Sequence, residues 1–286
     1  MSQGSYFVPA TAKWPIVGSV GLFVLMLGAA NWLNSSQTGP WFFAIGAAIV
    51  LLMIFGWFSD VIKESQGGLY NSAVDASFRQ GMIWFIFSEV MFFAAFFGAL
   101  FYARMFSVPW LGGEGTGAMT RELLWPTYEP VWPTHGPAEL GGDFQTIPGF
   151  GLPLINTLIL LTSGVTITMA HWALKRAQRT ALVVWMAATI ALACVFLFIQ
   201  GYEYVYAYRE LGLTLGSGIY GSTFFMLTGF HGLHVIVGTL MLIVITLRCA
   251  FGHFSKKNHF GFEAAAWYWH FVDVVWLGLF IFVYVV

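Results

Sequence analysis

Apolar residues along this chain fall in long unbroken runs, not in the three-and-four stripe of a soluble amphipathic helix. Seven runs stand out, near 15–33, 40–59, 81–106, 150–173, 181–204, 217–248 and 264–286. Each is long enough to cross a hydrocarbon layer about 30 Å thick, which takes roughly 20 residues of helix. The two-residue alternation of a membrane β-barrel is missing, so helices must make every crossing. The pattern predicts an all-α, polytopic membrane protein with seven transmembrane helices. The third and sixth runs are long enough to tilt or project beyond the bilayer, and neither has an internal proline to break it.

Polar breaks between the runs are short except for 107–149, a segment rich in Trp, Pro and Gly. Its charges are Glu114, Glu122, Glu129, Glu139 and Asp143 against a lone Arg121. A connection of that length is usually docked, functional or disordered, and Trp110, Trp125 and Trp132 predict docking on the bundle or on a partner. The acidity either complements the opposite face or gives a weak attraction for a basic soluble partner. Basic residues fix the orientation, since cytoplasmic loops retain them. Lys13, Lys63, Arg79, Lys175, Arg176, Arg179, Arg248, Lys256 and Lys257 fall on one side, and only Arg104, Arg121 and Arg209 on the other. The bias predicts a cytoplasmic N-terminus and, after seven crossings, a C-terminus outside.

Composition agrees: 58% of the 286 residues are apolar and 9% charged, where a soluble domain carries about a quarter charged. The 13 Trp and 11 Tyr suit repeated crossings of the headgroup layers. A net charge of -1 leaves no electrostatic footprint for nucleic acid. Cys194 and Cys249 lie in or at the end of apolar runs without a CxxC partner, and are expected to be buried thiols. The opening MSQGSYFVPATAKWP lacks a basic stretch, and the first apolar run contains no obvious small-residue cleavage site, which predicts a retained first span. No repeat at a fixed period is visible.

An ionisable side chain at mid-bilayer costs about 2.5–3.5 kcal/mol on insertion scales, so each one asks for a reason. Glu89 lies nine residues past Gly81, roughly 13 Å into its span at 1.5 Å per residue. It is either a proton-binding group in a relay or a protonated carboxyl hydrogen-bonded to a neighbouring helix, with Ser88 and the backbone as local alternatives. His171 ends the fourth span, Glu203 closes the fifth, His231 and His234 lie in the sixth, and His270 and Asp273 in the seventh. Spacing by three puts each of the last two pairs on one helical face. Imidazoles so spaced can chelate, yet HExxH and ExxH are missing and no complete ligand set presents itself. A buried polar network of interhelical hydrogen bonds is therefore expected, without a metal. At the basic ends, GWFSDVIKES and RCAFGHFSKKNHFGFE mix cations with aromatics, which suits lipid phosphates or ordinary interfacial anchoring.

Three stretches resemble cytochrome c oxidase subunit III of the aa3 haem-copper type: WFIFSEVMFFAAFF at 84–97, FFMLTGFHGLHVIVGT at 224–239 and GFEAAAWYWHFVDVVWLGLF at 261–280. LPLINTLILLTSGVTITMAH at 152–171 and QGYEY at 200–204 extend the likeness over the last five spans, and GWFSDVIKES resembles the family's end of helix two. The resemblance implies two N-terminal helices, within 1–69, splayed from a five-helix bundle over 70–286 by a lipid-filled cleft. By motif position it assigns Trp57, Lys63, Glu64, Arg79 and Arg248 to the lipid-contacting region and Glu89 to the family's intramembrane carboxyl. Between Glu64 and Arg79 the chain departs from mitochondrial relatives, whose paired histidines give way to Tyr70 and Asn71.

The resemblance further implies a subunit with no catalytic residue, metal or cofactor of its own. It would sit in a bacterial inner membrane complex that oxidises cytochrome c, reduces dioxygen to water and pumps protons. Haem a, haem a3 and the copper centres would belong to subunits I and II, and phospholipids would be further partners. The expected role is to stabilise the catalytic subunit, sustain proton uptake and bind structural lipid, the cleft also offering dioxygen an apolar route. An independent proton-coupled transporter and the third subunit of a quinol oxidase are the alternatives. The first normally shows broken half-helices or inverted repeats, and the second typically has five helices.

Overall fold

A computed structural model describes residues 6–9 and 11–286, so part of the opening segment read above lies outside the described residues. Seven helices among them are long and apolar enough to cross a membrane. We label them α1 (Trp14–Leu33), α2 (Gly39–Gln66), α3 (Ser72–Tyr102), α4 (Leu152–Lys175), α5 (Arg179–Arg209), α6 (Gly218–Ala250) and α7 (Phe260–Leu279). Their outward faces carry large bare apolar side chains such as Phe55, Phe198 and Val274, which suits lipid or another apolar surface in place of water.

Several helices outrun the apolar segments that predict them. The polar turns DVIKESQ continue α2 to Gln66, because propensity holds a helix past the hydrocarbon edge where water satisfies its ends. α3 starts at Ser72, nine residues before its apolar run, with the Asn71 side chain accepting a hydrogen bond from the Val74 amide at 3.0 Å. Beyond Tyr102 the helix runs through a π turn, Ala103–Ser107, into Val108–Leu111. The wider turn shifts the hydrogen-bond register just ahead of Pro109, whose nitrogen cannot donate. The long connection therefore begins after Leu111 and not at 107 as expected.

The chain divides into two compact units, Met1–Gln80 and Gly81–Val286. In the first, α1 and α2 lie so close that a Cβ at Gly28 would strike the Phe43 backbone and one at Gly46 the Leu25 backbone. Without a hydrophobic force between helices in lipid, small residues that admit such approach are what hold a pair together. At the basic end Trp14 Nε1 donates to Asp60 Oδ2 at 2.9 Å, and Lys13 and Lys63 approach the same carboxylate at 3.7 and 3.9 Å.

In the second unit α4, α5, α6 and α7 pack around fully buried Phe196, Phe224, Trp269 and Trp276. Indole nitrogens reach across helices, Trp269 Nε1 to Ser163 Oγ and Trp276 Nε1 to Thr157 Oγ1, both at 2.9 Å. The long connection docks: Phe144 stacks on Tyr220 with centroids 5.4 Å apart, Trp132 meets the same ring, and the Gln145 amide donates to Leu211 O. Cys249 is buried, but Cys194, expected to be buried, is exposed on α5. A span apolar on every side gives no sign of which side faces the bundle.

Candidate functional site

Glu89 on α3 meets His234 on α6, Oε2 to Nε2 at 2.9 Å. The other ring nitrogen of His234 lies 2.6 Å from Phe230 O. A carbonyl only accepts, so Nδ1 carries a hydrogen, and the contact to Glu89 then needs one more proton, on the carboxyl or on Nε2. One proton is thereby held between two side chains on different helices. Aromatic rings surround the imidazole: Phe93 stands 4.9 Å from it, Tyr268 stacks at 6.3 Å, and Phe92 and Phe271 lie beside it. Ser88, next in sequence, turns away to donate to Phe85 O.

His231, one turn earlier on α6, enters the core instead. Its Nε2–H donates to Val272 O at 3.1 Å, bridging α6 to α7. Glu203 of α5 is buried and accepts from the Tyr284 hydroxyl at 2.5 Å, tying α5 to the last turn of the chain. His270 and Asp273 approach each other at 3.5 Å. Asp273 Oδ2 lies against Gly164 of α4, and Thr168 Oγ1 reaches His270 at 3.4 Å. This pair lines a groove of about 380 Å³ between α4 and α7.

His171 is joined by two residues not singled out from the sequence. At the basic end of the bundle His259 Nε2 lies 3.2 Å, and His171 Nε2 3.5 Å, from Glu263 Oε1. The signal for the pair was the H-x3-E spacing of 259–263, which puts both on one face of a helix start.

The residues assigned to lipid contact split between the two units. In the first, Trp57 is exposed beside Phe58, Glu64 accepts from the Tyr70 hydroxyl at 2.7 Å, and Arg79 pairs with Asp75 at 2.7 Å. Tyr70 and Asn71 thus have local partners, a carboxylate and a helix start. Burial first, and the Glu64 carboxylate second, raise the Tyr70 hydroxyl well above its usual range. In the second, the Arg248 guanidinium lies 4.4 Å over the Phe254 ring.

The model of the family "Cytochrome c oxidase subunit III" matches residues 4–286. "Cytochrome c oxidase subunit 3" of Triticum aestivum is 42% identical over 281 residues, 98% of this chain and 96% of the relative. The Marchantia polymorpha protein of the same name is 42% identical over 276 residues, 96% of this chain and 93% of its own. That of Gadus morhua is 40% identical over 281 residues, 98% and 96%. A match over nearly the whole length, on a seven-helix membrane chain, leaves one conclusion: this chain belongs to the cytochrome c oxidase subunit III family.

Proposed function

We propose that this chain is the non-redox subunit III of a cytochrome c oxidase in a bacterial inner membrane, with its N-terminus cytoplasmic and its C-terminus periplasmic. It stabilises the catalytic subunit, sustains proton uptake and binds structural phospholipid. The complex oxidises cytochrome c, reduces dioxygen to water and pumps protons, with haem a, haem a3 and copper held by subunits I and II.

The observation that carries the proton role is the Glu89–His234 contact, where a single proton bridges two titratable groups, one of them an imidazole among aromatic rings. A carboxyl and an imidazole linked in this way can pass or store a proton without leaving a bare charge in hydrocarbon. The stabilising role draws on α4–α7, whose interhelical bonds from Trp269, Trp276, His231 and Tyr284 make a stiff wall. Lipid binding draws on Trp57 and Lys63 at one basic end and Arg248 at another, cations beside aromatic rings at headgroup depth.

The test is an optical spectrum of the detergent-solubilised complex captured through a tag on this chain, repeated after the chain is stripped away. Haem a should follow the tag and remain with the other subunits on stripping. No haem at any stage would overturn the oxidase reading in favour of a transporter. Unchanged proton uptake in Glu89→Gln would leave the scaffold role alone.

A further inference from the structure

We propose that His171, His259 and Glu263 form a binding site for a borderline divalent transition cation, of the Zn2+ class, at the basic end of the bundle. The three side chains come from α4 one turn before its end, the residue before α7 and the first turn of α7. Their donor atoms all lie within 4.8 Å of one another. Two of the three separations, 3.2 and 3.5 Å, match the edge of a tetrahedron, which is about 3.4 Å when ligands stand 2.0–2.1 Å from the ion.

The hydrogen bonding favours a cation on independent grounds. His259 Nδ1 lies 3.0 Å from Ser255 O, an acceptor only, so Nδ1 carries the hydrogen and neutral His259 turns the lone pair of Nε2 toward the carboxylate. Such a carbonyl-anchored ring is the usual outer support of a metal-binding histidine. Two acceptors then face each other at 3.2 Å, repulsive unless something positive lies between them. Both Nε2 atoms are buried without a hydrogen-bond partner among the described residues, an expense that a shared cation would offset.

Two imidazoles and one carboxylate suit Zn2+ better than Mg2+ or Ca2+, which take oxygen ligands. The fourth position would go to water. His171 keeps part of its side chain exposed, which gives the ion a way in. Lys175, one turn further along α4, and Arg248, whose guanidinium runs beside Gly261, add positive charge that moderates affinity.

The site is tested on the intact complex, captured by a tag on this chain and freed of loose metal with a chelator. Zn2+ is then titrated and bound metal counted by mass spectrometry, for the wild type, His171→Asn, His259→Asn and Glu263→Gln. Haem content of the same preparations tracks assembly, so a failure of the oxidase reading would be seen separately. We expect each substitution to remove one equivalent of Zn2+, or to weaken its binding by more than the about 10–100-fold that loss of an outer-shell partner costs. A Lys175→Gln complex should bind that equivalent at least as tightly, and a thousandfold excess of Mg2+ should not displace it. Unchanged stoichiometry and affinity in assembled His171→Asn and His259→Asn complexes would overturn the proposal, as would displacement by Mg2+.

Discussion

Glu89 and His234 lie 145 residues apart in sequence and 2.9 Å apart in space, with one proton between them. Glu89→Gln keeps the contact, because the amide can donate to His234 Nε2, but it removes the group that exchanges that proton. The substitution should leave assembly and haem content unchanged. Proton uptake by the reconstituted oxidase should slow at least about tenfold, equivalent to about 1.4 kcal/mol on the barrier. A pH-sensitive dye on the uptake side gives the rate, and wild-type uptake by the variant would refute a proton role for the pair.

The same contact should couple the two helices energetically. Removing one partner, as in His234→Leu, leaves the other without its match, at about 1–3 kcal/mol for an unsatisfied buried polar group. Once Glu89 is already leucine, removing His234 should cost less. The cycle over both single variants and the double variant should give about 0.5–3 kcal/mol of coupling in detergent or heat denaturation. Additive losses would mean that the contact does not stabilise the bundle.

Tyr70 should give the basic end of the first unit an alkaline sensitivity. Burial and the Glu64 carboxylate raise its folded hydroxyl above the unfolded value, which is near 10. The folded state therefore holds this proton more tightly than the unfolded one. The stabilisation is fully present below about pH 10 and is lost as pH rises through the raised folded value. Tyr70→Phe removes that slope together with one hydrogen bond on a part-exposed carboxylate, worth about 1 kcal/mol or less. Ultraviolet difference titration of wild type against the variant reads it, and a tyrosinate signal that titrates like free tyrosine would refute the claim.

What could be read in the sequence follows from which signals survive in a chain that is apolar on every side. Run length and polar breaks were enough for seven spans, because the cost of unsatisfied backbone in lipid leaves few choices. Helix ends were less legible: the polar turns after Ser59 and the nine residues before Gly81 extend helices that hydropathy cannot see. Rotational facing was hidden altogether, as Cys194 illustrates. Glu89, His234, His270 and Asp273 announce themselves as ionisable residues in apolar runs, but only packing decides that Glu89 takes His234 while His231 turns to Val272 O. His259 and Glu263 escaped because they sit at a helix start, where ionisable residues are ordinary.

Gly164 offers the sharpest steric test of how α4 and α7 pack. A Cβ there would stand 2.5 Å from Asp273 Oδ2, whereas at Gly201 on α5 nothing lies within 4 Å. Both residues are helical with ordinary φ, so helix propensity alone favours alanine at each, by about 1 kcal/mol. Gly201→Ala should therefore be neutral or stabilising. Gly164→Ala must push a buried carboxylate off the α4 backbone on which it rests, and overpacking of this kind costs about 1–3 kcal/mol. Asp273 would be driven toward His270, already 3.5 Å away and lining the same groove. The net effect at Gly164 should then be a loss even after the propensity gain, read as a lower thermal midpoint for release of this chain from the captured complex. The pair Gly164→Ala with Asp273→Ala makes the room that the methyl needs, and its steric penalty should vanish. If Gly164→Ala proves as harmless as Gly201→Ala, Asp273 does not rest on the α4 backbone.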